Sequence, residues 1–211
     1  MTAFITLPRL AATLLLAFMV SACGDAQDLG PTRAELGDFR LGHNIVVVEN
    51  AQRVAISREI EHETLRSLIS DSIDQRFRRY EGTRLYHIAV SVDGYLLAPP
   101  GIPVVATPRS VLIIGVHLWD DELGRPLNRQ RRQLTVLEGL SGESIVGSGL
   151  TRGAEEQAEA LALSAARAIE NWLVENSEWF NTGRPPRPEM QAALAEREAA
   201  RLAGAVSEGD D

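Results

Sequence analysis

Apolar residues recur at three- and four-residue steps between residues 58 and 80. Leu65, Leu68, Ile69, Ile73, Phe77 and Tyr80 fall on one stripe, as in a helix with a single buried face. Ser57 stands where an N-cap would, Glu59 and Glu61 suit the positive helix end, and Gly82 follows the last turn. A second stripe spans 153–176 through Ala158, Leu161, Ala162, Ala165, Ala168, Ile169, Trp172 and Leu173. Its alanines would let that helix lie close against a sheet.

Between these helices the period changes to two. From Leu85 to Leu97, Tyr86, Ile88, Val90 and Val92 alternate with His87, Ala89, Ser91 and Asp93. From Ser110 to Trp119, Leu112, Ile114, Val116 and Leu118 form one face; Val111, Ile113, Gly115, His117 and Trp119 form the other. Asp120 to Gly124 reads as a turn, and Gln133 to Leu140 as the next strand. Ser141-Gly142 then allows Ile145-Val146 to return as a short extra strand. Ile45 to Val48 is continuously apolar and mostly β-branched, which predicts a strand buried on both faces, inside the sheet.

The expected order is β-α-β-β-β-(β)-α. That is an α+β fold: a two-layer sandwich of a mostly antiparallel sheet, about four to five strands, with two long helices on one face. Residues 39–180 carry this domain. Residues 23–38 are polar and glycine-containing, the composition of a flexible tether. Residues 181–211 open with Pro185, Pro186 and Pro188 and continue as a polar, Ala/Glu/Arg-rich tail, helical or disordered.

The N-terminus has its own pattern. Arg9 precedes an apolar run from Leu10 to Val20, and small residues close it, the layout of a secretory signal over residues 1–22. The run is too short to span a bilayer. Val20-Ser21-Ala22-Cys23 resembles the lipobox of bacterial lipoproteins: aliphatic, small, small, cysteine. The resemblance implies that Cys23 carries the lipid and becomes the first mature residue. Two or three acyl chains anchor a protein stably where one does not. Gly24, rather than an aspartate, follows the cysteine, which by the same resemblance favours the outer membrane, periplasmic face. The element order over 39–176 also looks like that of lipopolysaccharide-assembly lipoproteins, auxiliary lipoproteins of lipid-transporting ABC systems, curli-secretion-type lipoproteins and uncharacterised Gram-negative lipoproteins. No local motif singles out any of them.

Charge and composition narrow the function. The chain has 21 basic and 29 acidic residues, a net charge of −8. An acidic chain is a poor ligand for nucleic acid. All its basic residues are arginine, so lysine-dependent phosphate loops and Schiff-base chemistry are absent. Cys23 is the only cysteine, so a lipidated chain has no disulfide and no thiol nucleophile.

The candidate chemistry is thin. Gly147-Ser148-Gly149 lacks the spacing of a dinucleotide turn and of a serine-hydrolase elbow. Ser148 with a histidine stays as an alternative, enzymatic reading. His87 and His117 share an alternation class and could meet, but a metal site wants three or four ligands. Arg129, Arg131 and Arg132 cluster near the acidic turn. No cofactor, metal or catalytic residue is expected.

A partner surface is expected instead. Residues 98–108 form a proline-rich connection that carries Ile102, Val104 and Val105. Two helices cover one sheet face, which leaves Val111, Ile113 and Trp119 on the other. Together these predict a surface that binds a protein partner or a lipid in outer-membrane assembly or transport. The competing readings are a connection folded over a sheet edge, with Trp119 packed inside, and a structural lipoprotein that self-associates as a homo-oligomer.

Overall fold

The computed structural model describes residues 33–99, 109–138 and 153–185, with isolated exposed helical positions between 188 and 199. The chain divides into two units, Met1–Arg33 and Ala34–Asp211. Apart from Arg33, the first unit lies outside the described residues. So do Cys23, Ile102, Val104, Val105, Ile145-Val146 and Ser148.

The second unit is the expected α+β sandwich. Its elements are β1 (Arg40–Val47), β2 (Gln52–Arg53), α1 (His62–Phe77), β3 (Leu85–Leu96), β4 (Val111–Asp120), β5 (Arg125–Pro126), β6 (Arg132–Leu137) and α2 (Ala154–Glu175). A single 3₁₀ turn, Ser177–Trp179, follows α2. β3 and β4 are the centre of the sheet; β1 and β2 pair with β3, and β5 and β6 with β4. The β1 and β2 pairings are parallel and the rest antiparallel. Parallel neighbours need a crossover, and α1 supplies it between β1 and β3.

Both helices pack together over one face of the sheet. The inward rows Tyr86, Ile88, Val90, Val92 and Leu112, Ile114, Val116, Leu118 are almost fully buried. Leu65, Ile69, Ile73 and Phe77 of α1 and Leu161, Ala165, Ile169 and Leu173 of α2 cover them. Side chains of this size contribute about 1.5–3 kcal/mol each on full burial. An aromatic cluster fills one end of the core. Phe39 stacks on Tyr86 at 5.4 Å and meets Phe77, Tyr80 and Phe180 at 5.9, 5.6 and 5.2 Å.

Four expectations need correction. The Ile45–Val48 run lies at the sheet edge, not inside it, and Ile45 and Val47 are exposed. Only Val46 and Val48 turn inward. A bulge between Leu41 and Asn44 restores phase, so Leu41, Val46 and Val48 all point to the core. α1 begins at His62 with Glu61 as N-cap, so Ser57 caps nothing. The Ser57 hydroxyl instead accepts the Leu97 N–H at 2.8 Å and donates to the Arg58 carbonyl at 2.8 Å. α1 ends at Phe77, short of Gly82. Gly82 is there because its Cα abuts Phe39 backbone; a Cβ would lie 2.4 Å from the Phe39 nitrogen. Finally, the domain reaches into the expected tether. Leu36 is buried, and Asp38 accepts hydrogen bonds from the Thr83 N–H and hydroxyl.

The C-terminal side is tied to the same end of the sheet. Phe180 is buried, and Arg184 pairs with Asp120 at 3.0 Å. Buried Arg84 pairs with Glu122 at 2.8 Å and donates to the Pro185 carbonyl at 3.4 Å.

Candidate binding surface

The outer face of the sheet is built from the alternate residues of four strands. Register sets them in transverse rows. His87 lies opposite Trp119; Ala89 opposite Ile45 and His117; Ser91 opposite Val47 and Gly115. Gln133 continues the Gly115 row and Thr135 the Ile113 row. Strict alternation along β3 stops at a register shift between Val92 and Gly94. Past it, Tyr95 turns inward and Leu96 outward. Leu96 then faces Val111, and Val111 faces Leu137. On the other side the Val54 N–H donates to the Tyr95 carbonyl at 3.1 Å, which sets Val54 beside Leu96. Val54, Leu96, Val111 and Leu137 therefore form one apolar row across the sheet.

This row and the one behind it enclose a groove of about 370 Å³. Its apolar side chains are Val54, Leu96, Val111 and Ile113, and Gln52, Asp93 and Gln133 stand at its polar margin. Val54 and Leu137, at the two ends of the row, are 48% and 50% exposed. Burial pushes the Tyr95 hydroxyl above its ordinary range, with the Arg53 charge pulling the other way. Among the described residues, the one carboxylate in the groove lining, Asp93, is held by Arg131.

A polar bar closes the inner end of the groove. Gly115 faces outward, and the Arg131 side chain lies directly on it. A Cβ at 115 would come within 2.4 Å of Arg131 Cδ, so only glycine leaves the arginine its place. Arg131 donates to Ser91 Oγ at 2.8 Å and to Asp93 Oδ1 at 2.5 Å, and Gln133 donates to Asp93 Oδ2 at 3.3 Å. Arg131 is itself exposed, like Arg129 and Arg132, but is tied down by these bonds.

Beyond the bar the face is of another kind. Trp119 is 40% exposed at the far end of β4 and does not join Val111 and Ile113 in the groove. His87 and His117 lie in successive rows, on neighbouring strands. The ring that stacks on His87, at 5.1 Å, is that of His43. His87 Nδ1 accepts the His43 N–H at 3.0 Å, leaving Nε2 to donate to Asp121 Oδ1 at 3.1 Å. Among the described residues no group of three or more His, Cys, Asp or Glu could hold a metal ion.

Thus Val111 and Ile113, expected on the outer face from their alternation, line the groove, while its other wall escaped sequence reasoning. Val54 follows a two-residue strand too short to show a period. Leu96 changes face at the shift, and Gly94 inside an alternating run was the available signal. Of the glycine-rich turn before α2, the described part is Gly153. It is the helix N-cap, and its N–H donates to Glu156 at 2.8 Å.

No helix among the described residues is long and apolar enough to cross a membrane. No family model and no curated protein matches the chain. Among solved structures, a candidate lipoprotein from Caulobacter crescentus is similar at 17% identity over 67% of this chain and 93% of its own, with a TM-score of 0.34. A Xanthomonas campestris protein is similar at 10% identity over 72% and 93%, TM-score 0.39. A minor lipoprotein from Acinetobacter baumannii is similar at 12% identity over 61% and 92%, TM-score 0.27. These structural neighbours include lipoproteins of Gram-negative bacteria, and at these scores they say nothing about function.

Proposed function

We propose that this chain is a non-enzymatic envelope lipoprotein, held on the outer membrane by acyl chains on Cys23. In this reading it binds a protein partner or a lipid during envelope assembly or transport. The observation that carries it is the open apolar groove of Val54, Leu96, Val111 and Ile113 on the sheet face that no helix among the described residues covers. Exposed apolar concavities of this kind mark binding sites. The proline-rich connection 98–108, with Ile102, Val104 and Val105, joins β3 to β4 and is proposed as part of the same surface. Trp119 is proposed as a separate anchor at the other end of β4.

The anchor has a direct test. Replacing Cys23 with Ser is expected to release the protein from membranes or leave the signal uncut. Mass spectrometry that finds a mature N-terminus other than acylated Cys23 overturns it.

The groove is tested with Val54→Asp. Val54 is exposed, so the variant is expected to fold, with its thermal midpoint within a few degrees of wild type. A charge in an apolar groove costs several kcal/mol to desolvate, so the lipid extracted with the purified protein, or the protein cross-linked to it in cells, should fall by about tenfold or more. If extracted lipid and cross-linked protein both stay at wild-type levels, the groove is not the binding site.

A further inference from the structure

The edge of β1 carries a composition that edges avoid. Asn44 to Val48 holds no charge and no proline and is mostly β-branched. Sheet edges in water are ordinarily blunted by charge, proline or a bulge, because their open N–H and C=O groups recruit other strands. Among the described residues β1 pairs only with β3.

Which backbone groups stay open follows from the hydrogen bonds. The His43 N–H points to β3, where it meets His87 Nδ1. Alternation then sends the backbone groups of Ile45 and Val47 to β3, and those of Asn44 and Val46 to the outer edge. Val48 agrees: its N–H is taken by Glu49 Oε2 at 3.0 Å and its carbonyl by the Ala51 N–H at 3.0 Å. The edge is therefore closed at both ends, by the bulge and by this turn, and among the described residues nothing pairs with Asn44 and Val46 between them. On the outer face Ile45 and Val47 stand beside this opening, 57% and 42% exposed.

We propose that β1 pairs antiparallel with β1 of a second copy of this chain, about a twofold axis at Ile45, making one sheet continuous through two domains. The open groups fit this pairing. Asn44 of each strand lies opposite Val46 of the other, and each such pair exchanges two backbone hydrogen bonds. Ile45 meets Ile45 of the second copy at the non-hydrogen-bonded position, where side chains come closest. Charge does not oppose the antiparallel pairing: Arg40 begins β1 and Glu49 follows it, so like charges are kept apart, and Glu49 is already held by Arg66 at 2.6 Å. The same patch serves both chains, so the contact closes as a dimer. The pairing makes β1 an interior strand of the assembled sheet, with Ile45 and Val47 still on its outer face.

The test uses the full chain in its native membranes. A cysteine at a non-hydrogen-bonded antiparallel site faces its twin within disulfide reach. Oxidation of Ile45→Cys should give a dimer of twice the chain mass, about tenfold above wild type, which has Cys23 alone, and above Ile56→Cys, exposed but off the edge. In parallel, the detergent-solubilised wild type should sediment as a dimer. Ile45→Lys should sediment as a monomer with an unchanged thermal midpoint. Equal cross-linking at 45 and 56, an Ile45→Cys adduct of another mass, or a monomeric wild type would each overturn the proposal.

Discussion

Glu170→Ala is expected to cost about 3–5 kcal/mol of stability, as removal of one partner from a buried ion pair does. Glu170 of α2 sits between the helices, 5% exposed. It accepts from Arg76 Nη1 at 2.7 Å, Arg79 Nη2 at 2.8 Å and the Tyr80 hydroxyl at 2.6 Å. The alanine variant leaves Arg76, only 4% exposed, with a desolvated charge and no counter-ion here. Glu170→Gln keeps the volume and loses the charge; it should be nearly as damaging if the ion pair, rather than packing, holds the helices together. Chemical denaturation measures both. A loss below about 1 kcal/mol in each variant would show that water reaches Arg76 and that the pair is structurally dispensable.

The same site sets an acid response. Burial alone would raise the Glu170 carboxyl, but hydrogen bonds from Tyr80, Arg79 and Arg76 outweigh it and hold the group below its ordinary value. A carboxyl depressed in the folded state stabilises the fold fully above its unfolded pKa, about 4.3. That contribution is lost as pH falls through the lower folded value. Burial and acceptance by Glu170 likewise raise the Tyr80 hydroxyl. Its share is present below about pH 10 and is lost at higher pH. The Gln variant should show a flatter stability profile than wild type on the acid side.

The second large effect is Phe77→Ala, with an expected cost of about 3–5 kcal/mol. Phe77 is fully buried and lies within 6.0 Å, ring to ring, of both Phe39 and Tyr80. Truncation opens a cavity among rigid rings fixed by two helices and the sheet, so little can collapse into it. Denaturant unfolding should show a lower midpoint with an unchanged slope, the mark of lost stability without a change of fold. A loss below about 1 kcal/mol would mean that Phe39, Tyr86 and Phe180 repack into the space.

Much of this fold is legible because its long elements obey a period. The α1 stripe and the alternating faces of β3 and β4 are set by burial alone, and burial repeats along the chain. Ile45–Val48 misleads for the same reason. Four apolar residues in a row report two covered faces, and a sequence does not say whether the second cover comes from its own chain. Leu36 misleads differently: one apolar residue among polar ones has no period. Glu170 was invisible because a carboxylate beside Ile169 is assigned to water unless its partners are known. Those partners, Arg76 and Arg79, stand more than 90 residues away. The groove is half legible. Val111 and Ile113 follow from alternation, but Leu96 changes face at a one-residue irregularity, and pairing to β3 alone places Val54 beside it.

The arginine laid over Gly115 makes the outer face a ruler. A ligand lying along the strands from the Val111 row can advance only as far as Arg131, held by Ser91 and Asp93. Those rows are four residues apart, or about 13 Å at the rise of a strand. An occupant of that length or less fits flat against the sheet. Anything longer has to leave the surface at the guanidinium or turn across the strands toward Val54 or Leu137.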